Sequence, residues 1–295
     1  MVRLPKRVEL PSYFYNIGSL KYFADLLRSK HRVPACLSRY LIVAEFPRSG
    51  GSWLCSVLAS AINSISVKQV FTHPISMHEY VIELDKLRGI SDIKDALFHS
   101  PPHSTIVKTH HPYSSHFQRV VCLHRDPVQS LKSHYSMLAN SGLINPKSFS
   151  PLQFVESKWF GCDAYNYFYK SYLIRSTLGS RIMFIDYDQL LANPLKILSS
   201  ILSCLTTSCL PHDQLSTLIE SSSLDKYKSL EYAYLEYDLR FYLRGGSHFR
   251  NIGFTSSMIK WDENVEEYIR KHTSLTYGIF VQACKDVTAR GHLLL

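Results

Sequence analysis

Apolar residues occur along this chain in short, nearly unbroken runs separated by longer stretches of helical periodicity. Tyr40 to Phe46 (YLIVAEF) is one such run, too continuous to be one face of a surface helix, and it predicts a buried strand. Ser104 to Thr109 (STIVKT), Arg119 to Leu123 (RVVCL) and Arg181 to Ile185 (RIMFI) repeat the pattern, short and rich in β-branched residues. Helix-length segments lie between them: Ser52 to Asn63, Pro127 to Ala139, and an aromatic-rich stretch from Pro151 to Leu178. Strands alternating with helices predict an α/β fold whose central, mainly parallel sheet is flanked by helices. Beyond the fourth run the pattern is helical. Asn193-Pro194 opens one helix, His212 to Ser221 forms another and Asp262 to His272 a third. Leu243 to Thr255 (LRGGSHFRNIGFT), rich in Gly and polar groups, reads as a functional loop or lid.

Composition narrows the function classes. A chain of 295 residues with 45% hydrophobic content can bury one sizeable core, and residues 1–295 are expected to form a single domain. The net charge of +9 favours an anionic partner. Its basic residues are spread thinly, without a run of five or six, so an internal anion pocket fits better than a nucleic-acid-binding arm. A basic nucleic-acid module would also interleave aromatic residues on a continuous basic face, which is not evident. The cysteines (Cys36, Cys55, Cys122, Cys162, Cys204, Cys209 and Cys284) are scattered, odd in number and without a C-x-x-C pair, as expected of reduced thiols in the cytoplasm. No apolar leader or membrane-length window is present, so neither secretion nor membrane insertion is expected. The histidines show neither H-E-x-x-H nor zinc-ligand spacing, and no metal site is expected.

Candidate chemistry begins after the first predicted strand. Pro47-Arg48-Ser49-Gly50-Gly51-Ser52-Trp53-Leu54 lies between strand and helix, where an α/β fold exposes backbone N–H groups to an anion. It is not a Walker A loop, because the lysine and hydroxyl of G-x-x-x-x-G-K-[ST] are missing, which weighs against a kinase or NTPase, the first rival reading. PRSGGSWL resembles the P-K/R-S-G-T/S-T/S-W segment of sulfotransferases that use PAPS (3′-phosphoadenosine 5′-phosphosulfate). The resemblance implies that Arg48, Ser49, Gly50, Gly51, Ser52 and Trp53 wrap the 5′-phosphate, that Arg48 reaches the bridging oxygen, and that Trp53 stacks on adenine. Small-molecule members of the family carry Lys at the position of Arg48, whereas Arg occurs in the tyrosyl-protein and carbohydrate branches.

Further matches extend the resemblance. Arg125 at a strand end and Ser133 eight residues later match the family's 3′-phosphate signature, the feature that separates PAPS from ATP. Lys108-Thr109-His110-His111-Pro112 resembles K-T-H-x-P and implies a charge-stabilising Lys108 and a general base at His110, with His111 on a variable position. Histidine chemistry suits that role, because its pKa of about 6.5 lets it take a hydroxyl proton near neutrality. Tyr187-Asp188 with Asn193-Pro194 resembles the Y-E-D…N-P segment whose Tyr contacts adenine, and Ser221 to Leu224 resembles a purine-contact stretch, which brings in Leu224. Arg244, Gly245 and Gly246, followed by Phe249-Arg250-Asn251, resemble a shortened form of the lid over the 3′-phosphate. The implied reaction moves a sulfuryl group from PAPS to a hydroxyl or amine of a small-molecule acceptor, releasing adenosine 3′,5′-bisphosphate without a metal. Ser66 to His103 and Pro146 to Tyr172 diverge from the family and are expected to shape the acceptor pocket. Oligomeric state stays open, with a homodimer among the options, and a fold that binds nucleotide without turnover is the remaining alternative.

Overall fold

The computed structural model describes residues 37, 40–67, 81–84, 106–140, 143–177, 182–205, 210–223, 226, 259 and 261–290. Its centre is a five-stranded sheet of β1 (Leu41–Glu45), β2 (Val81–Glu83), β3 (Ile106–Thr109), β4 (Arg119–His124) and β5 (Ile182–Asp186), in the order β2-β3-β1-β4-β5. Every pairing is parallel. β1 is buried along its whole length, since helices cover both faces, and this explains why its sequence is continuous and does not alternate.

On one face pack α1 (Gly51–Val67), α5 (Tyr187–Ala192), α6 (Pro194–Leu205) and α7 (His212–Ser221), with Leu54, Leu58, Leu190, Leu198, Ile201 and Leu215 meeting Leu41 and Val43 of β1. The other face carries α2 (Pro127–Asn140), α3 (Pro151–Glu156), α4 (Cys162–Thr177) and α8 (Glu263–Arg290), whose apolar side chains close on Ile42, Ala44 and Phe46. Odd and even positions of β1 therefore serve opposite layers, as strand geometry requires.

Local signals set the boundaries. Asp126 Oδ1 accepts from Gln129 N at 2.9 Å, so Asp126 caps α2 behind Pro127. Ser150 and Gln153 form a reciprocal capping box at α3. Asp186 caps α5 by accepting from the N–H groups of Asp188 and Gln189. The aromatic stretch from Pro151 is two helices and not one. α3 ends at Ser157 in extended conformation, and at Gly161 the chain passes so close to the Val155 carbonyl that a Cβ would collide with backbone. Two further differences from the sequence expectations appear: β2 lies inside the divergent segment 66–103, and the last helix runs to Arg290 instead of ending near His272. No helix among the described residues is long and apolar enough to cross a membrane.

Candidate active site

β1 feeds α1 and then β2 on one side of the sheet, while β4 leads to β5 on the other, so the connections diverge at the carboxyl ends of β1 and β4. Such a switch point opens a crevice suited to a ligand. The loop from Pro47 to Gly51 enters it. Gly50 has φ 101°, and the Tyr187 ring lies where its Cβ would be, so only glycine fits. Arg48 has φ 71°, a left-handed conformation that costs a non-glycine residue energy and that the surrounding contacts must hold.

Those contacts join the two halves of the predicted nucleotide site. Arg48 Nε donates to Ser133 Oγ at 3.1 Å, and Arg125 Nη1 donates to the Arg48 carbonyl at 3.2 Å. The Arg125 guanidinium lies 4.8 Å from the centroid of the Tyr187 ring, and its Nε donates to Gln129 at 3.1 Å. Trp53 Nε1 donates to the Ser222 carbonyl at 2.6 Å, which brings the purine-contact stretch against α1. Arg48, Gly50, Trp53, Arg125, Ser133 and Tyr187 thus converge from β1, β4 and β5. Ser49 is turned inward, fully buried with its hydroxyl between Ser130 and Tyr169 and its N–H donating to the Phe46 carbonyl at 3.2 Å. Leu224, Arg244, Gly245 and Gly246 lie outside the described residues.

The residues expected to act as cation and base lie on β3 and directly after it. Lys108 Nζ donates to Ser52 Oγ at 3.1 Å and pairs with Glu45 Oε1 at 3.2 Å. Burial pulls the ammonium pKa down, but Glu45 and then Glu83 outweigh it, and Lys108 is held above its ordinary value, fully protonated. The next residue but one, His110, has Nδ1 2.8 Å from the Glu45 carbonyl oxygen. A carbonyl oxygen only accepts, so Nδ1 carries the proton and the lone pair of the neutral ring is on Nε2. His111 is buried, with its carbonyl accepting from Tyr172 Oη at 2.8 Å and its N–H bonded to Thr109 Oγ1 at 2.9 Å.

Sequence reasoning missed one supporting group outright and the hydrogen-bond partners of another. One is Glu45, hidden inside an apolar run and tied to Gly51 N, Lys108 and, through its carbonyl, His110. The other is a row of tyrosines on α4. Tyr165, Tyr169 and Tyr172 follow one helical face, and their hydroxyls donate to the carbonyls of Arg125 (3.3 Å), Leu123 (3.1 Å) and His111 (2.8 Å). They hold the ends of β3 and β4 from beneath. Their spacing was legible, whereas their partners were not. Tyr167, from the same aromatic stretch, faces outward with 45% exposure.

The residues present fit a doubly anionic nucleotide. Backbone N–H groups at the start of α1, Lys108 and Arg48 would hold one anionic group, and Arg125 with Ser133 would hold the other. Solved structures share the fold. Retinol dehydratase in complex with androsterone and inactive cofactor PAP aligns at TM-score 0.55 and 16% identity, over 87% of this chain and 84% of that one. Retinol dehydratase with retinol and PAP aligns at 0.52 and 17%, over 87% and 85%. Mouse sulfotransferase SULT7A1 complexed with PAP aligns at 0.50 and 14%, over 82% and 78%. No curated protein sequence matches the chain. Residues 38–273, from just before β1 into α8, match the family described as Sulfotransferase domain, and the chain accordingly belongs to the sulfotransferases.

Proposed function

We infer that the protein transfers a sulfuryl group from PAPS to a hydroxyl or amine of a small-molecule acceptor, with His110 as general base. The observation that carries this reading is the His110–Glu45 hydrogen bond, which places the Nδ1 proton on a main-chain carbonyl and so puts the lone pair of the neutral ring on Nε2, two residues from a protonated Lys108. Bound in the crevice, the donor supplies an activated sulfuryl group on a phosphate leaving group.

The chain's own residues do the rest. An acceptor hydroxyl is a weak nucleophile until its proton is removed, and His110 Nε2 takes that proton as the oxygen attacks. Negative charge accumulates on the leaving phosphate, where Lys108, Arg48 and the first N–H groups of α1 stabilise it from fixed positions. Arg125 and Ser133 select the 3′-phosphate, and Trp53 and Tyr187, both partly buried beside the loop, flank the adenine. Neighbouring proteins with this fold are complexed with retinol and androsterone, and an apolar, hydroxyl-bearing molecule is the acceptor class to try first.

A panel of small alcohols, phenols and amines incubated with radiolabelled PAPS tests the reading. Label transferred to at least one acceptor by the wild-type protein, and not by His110→Ala, is the expected result. Tight binding of adenosine 3′,5′-bisphosphate without transfer to any acceptor would favour a nucleotide-binding protein without turnover.

A further inference from the structure

The Glu45 carboxylate occupies an unusual place. It closes β1, is 2% exposed, and accepts from Gly51 N at 2.5 Å while pairing with Lys108 Nζ at 3.2 Å. Gly51 N is the first N–H of α1, and Lys108 is the buried cation beside Ser52. These donors are the ones that a 5′-phosphosulfate in the loop would use. The fit continues at Gly51, where the sulfotransferase pattern quoted above has Thr or Ser. A Cβ built at Gly51 would run into the Glu45 carboxyl group, so the carboxylate fills the space that a hydroxyl-bearing side chain would take.

The pairing is a consequence of strand parity. Val43 and Lys108 are register partners on β1 and β3, and Glu45, two residues on, points to the same face as both. A buried carboxylate needs a cation and donors, and the mouth of the anion loop supplies them.

We propose that Glu45 is a resident anion in the phosphosulfate loop, holding Gly51 N and Lys108 in the unliganded protein and weakening donor affinity because the 5′-phosphate must move it off them. This rests on the assignment of residues 47–53 as the 5′-phosphate loop. Lys108 then changes partner when the nucleotide arrives, from one carboxylate to the incoming anion, and is never buried without a counter-charge.

The test is calorimetric titration of the full chain with two probes, adenosine 3′,5′-bisphosphate and adenosine 3′-monophosphate, the second lacking the 5′-phosphate. Glu45→Gln removes the charge but keeps an oxygen for Gly51 N, and it should bind the bisphosphate about tenfold or more tightly than wild type, equivalent to about 1.4 kcal/mol. Its affinity for the 3′-monophosphate should stay the same. Gly51→Ala approaches the same atoms from the other side, displacing the carboxylate while retaining the Glu45 and Lys108 charges, and should also tighten the bisphosphate should Glu45→Gln fail to fold. Unchanged or weaker bisphosphate binding in the folded variants overturns the proposal, as does equal tightening of both probes, which would show a diffuse field effect. Arg48→Ala separates the two levels of inference. If it leaves bisphosphate binding intact, the loop assignment itself fails; if it weakens binding while the Glu45 and Gly51 variants do not tighten it, only the resident anion is wrong.

Discussion

Replacing His110 first by alanine and then by asparagine separates what the imidazole does from what holds it. Alanine removes both the Nε2 lone pair and the 2.8 Å hydrogen bond to the Glu45 carbonyl. That bond contributes about 1 kcal/mol net, a small part of the roughly 5 to 15 kcal/mol that keeps a domain folded, so the variant should remain native. Asparagine can place its amide nitrogen close to where Nδ1 was, retaining the bond without offering a base. Loss of a general base costs about 10² to 10⁴ in rate, which is about 2.7 to 5.4 kcal/mol on the barrier. Both variants should therefore lose kcat to that extent with any acceptor that accepts label, while calorimetric affinity for adenosine 3′,5′-bisphosphate stays within about twofold. His111→Ala, whose bonds to Thr109 and Tyr172 run through its main chain, is the control and should retain most activity. An active His110→Asn enzyme would refute the base assignment, and a dead His111→Ala with an active His110→Ala would move it to the neighbour.

The remaining predictions concern the two anion positions and acid stability. Arg125→Ala should weaken adenosine 3′,5′-bisphosphate binding at least about thirtyfold, the low end of the cost of removing one partner of a charge-assisted pair, with thermal stabilisation by the nucleotide lost in parallel. Lys108→Met leaves Glu45 buried without its cation and should cost about 3 to 5 kcal/mol in denaturant unfolding, much of it restored in Glu45→Gln/Lys108→Met. His134 is fully buried and its pKa is brought down to about 3, first by burial and then by His110 and Arg48, so the native state binds no proton there between about 3 and the ordinary 6.5. Unfolding takes one up in that window, so stability falls by up to about 1.4 kcal/mol per unit as pH drops below 6.5, and a melting series of wild type against His134→Phe should show a flatter acid limb for the variant.

Much of the fold was legible because its signals are local. A continuous apolar run bounded by turn residues specifies a strand with both faces covered, and four of the five strands were identifiable on that basis. β2 was not, because three residues of a short edge strand carry no periodicity and owe their conformation to pairing with β3. The helix break at Ser157–Gly161 was hidden by the unbroken aromatic content around it, although Gly161 marks it once the close approach to Val155 is known. α8 extends past His272 because one side of it, through Phe280 and Cys284, packs on the sheet, a tertiary demand that no cap signal in the sequence announces. At the candidate site, the loop from Pro47 to Trp53 could be singled out directly because it is one contiguous segment between a strand and a helix. Glu45 could not, since its partner Lys108 is brought to it by strand register, and a single acid inside YLIVAEF looks like a strand end.

Histidine chemistry in this protein is decided by surroundings and not by position in a motif. His124, at the end of β4, is buried among Tyr165, Tyr169 and Phe280, with Nε2 2.5 Å from Tyr165 Oη and Nδ1 3.8 Å from Asp186, and burial lowers its pKa despite that carboxylate. His134 lies edge-on to Phe46 and Phe154, neither ring nitrogen having a hydrogen-bond partner among the described residues. Both are enclosed, neutral and shut away from an acceptor, so their nitrogens are unavailable for proton transfer. His110 differs in one respect that matters for its proposed role: its Nδ1 is bonded to a main-chain carbonyl, so that in the neutral ring the lone pair is on Nε2. That carbonyl belongs to Glu45, whose side chain holds Lys108. In the unliganded protein the end of β1 thus holds His110 through its backbone and Lys108 through its carboxylate, and a shift of the Glu45 main chain would move the proposed base while the carboxylate remains free to exchange Lys108 with an incoming anion.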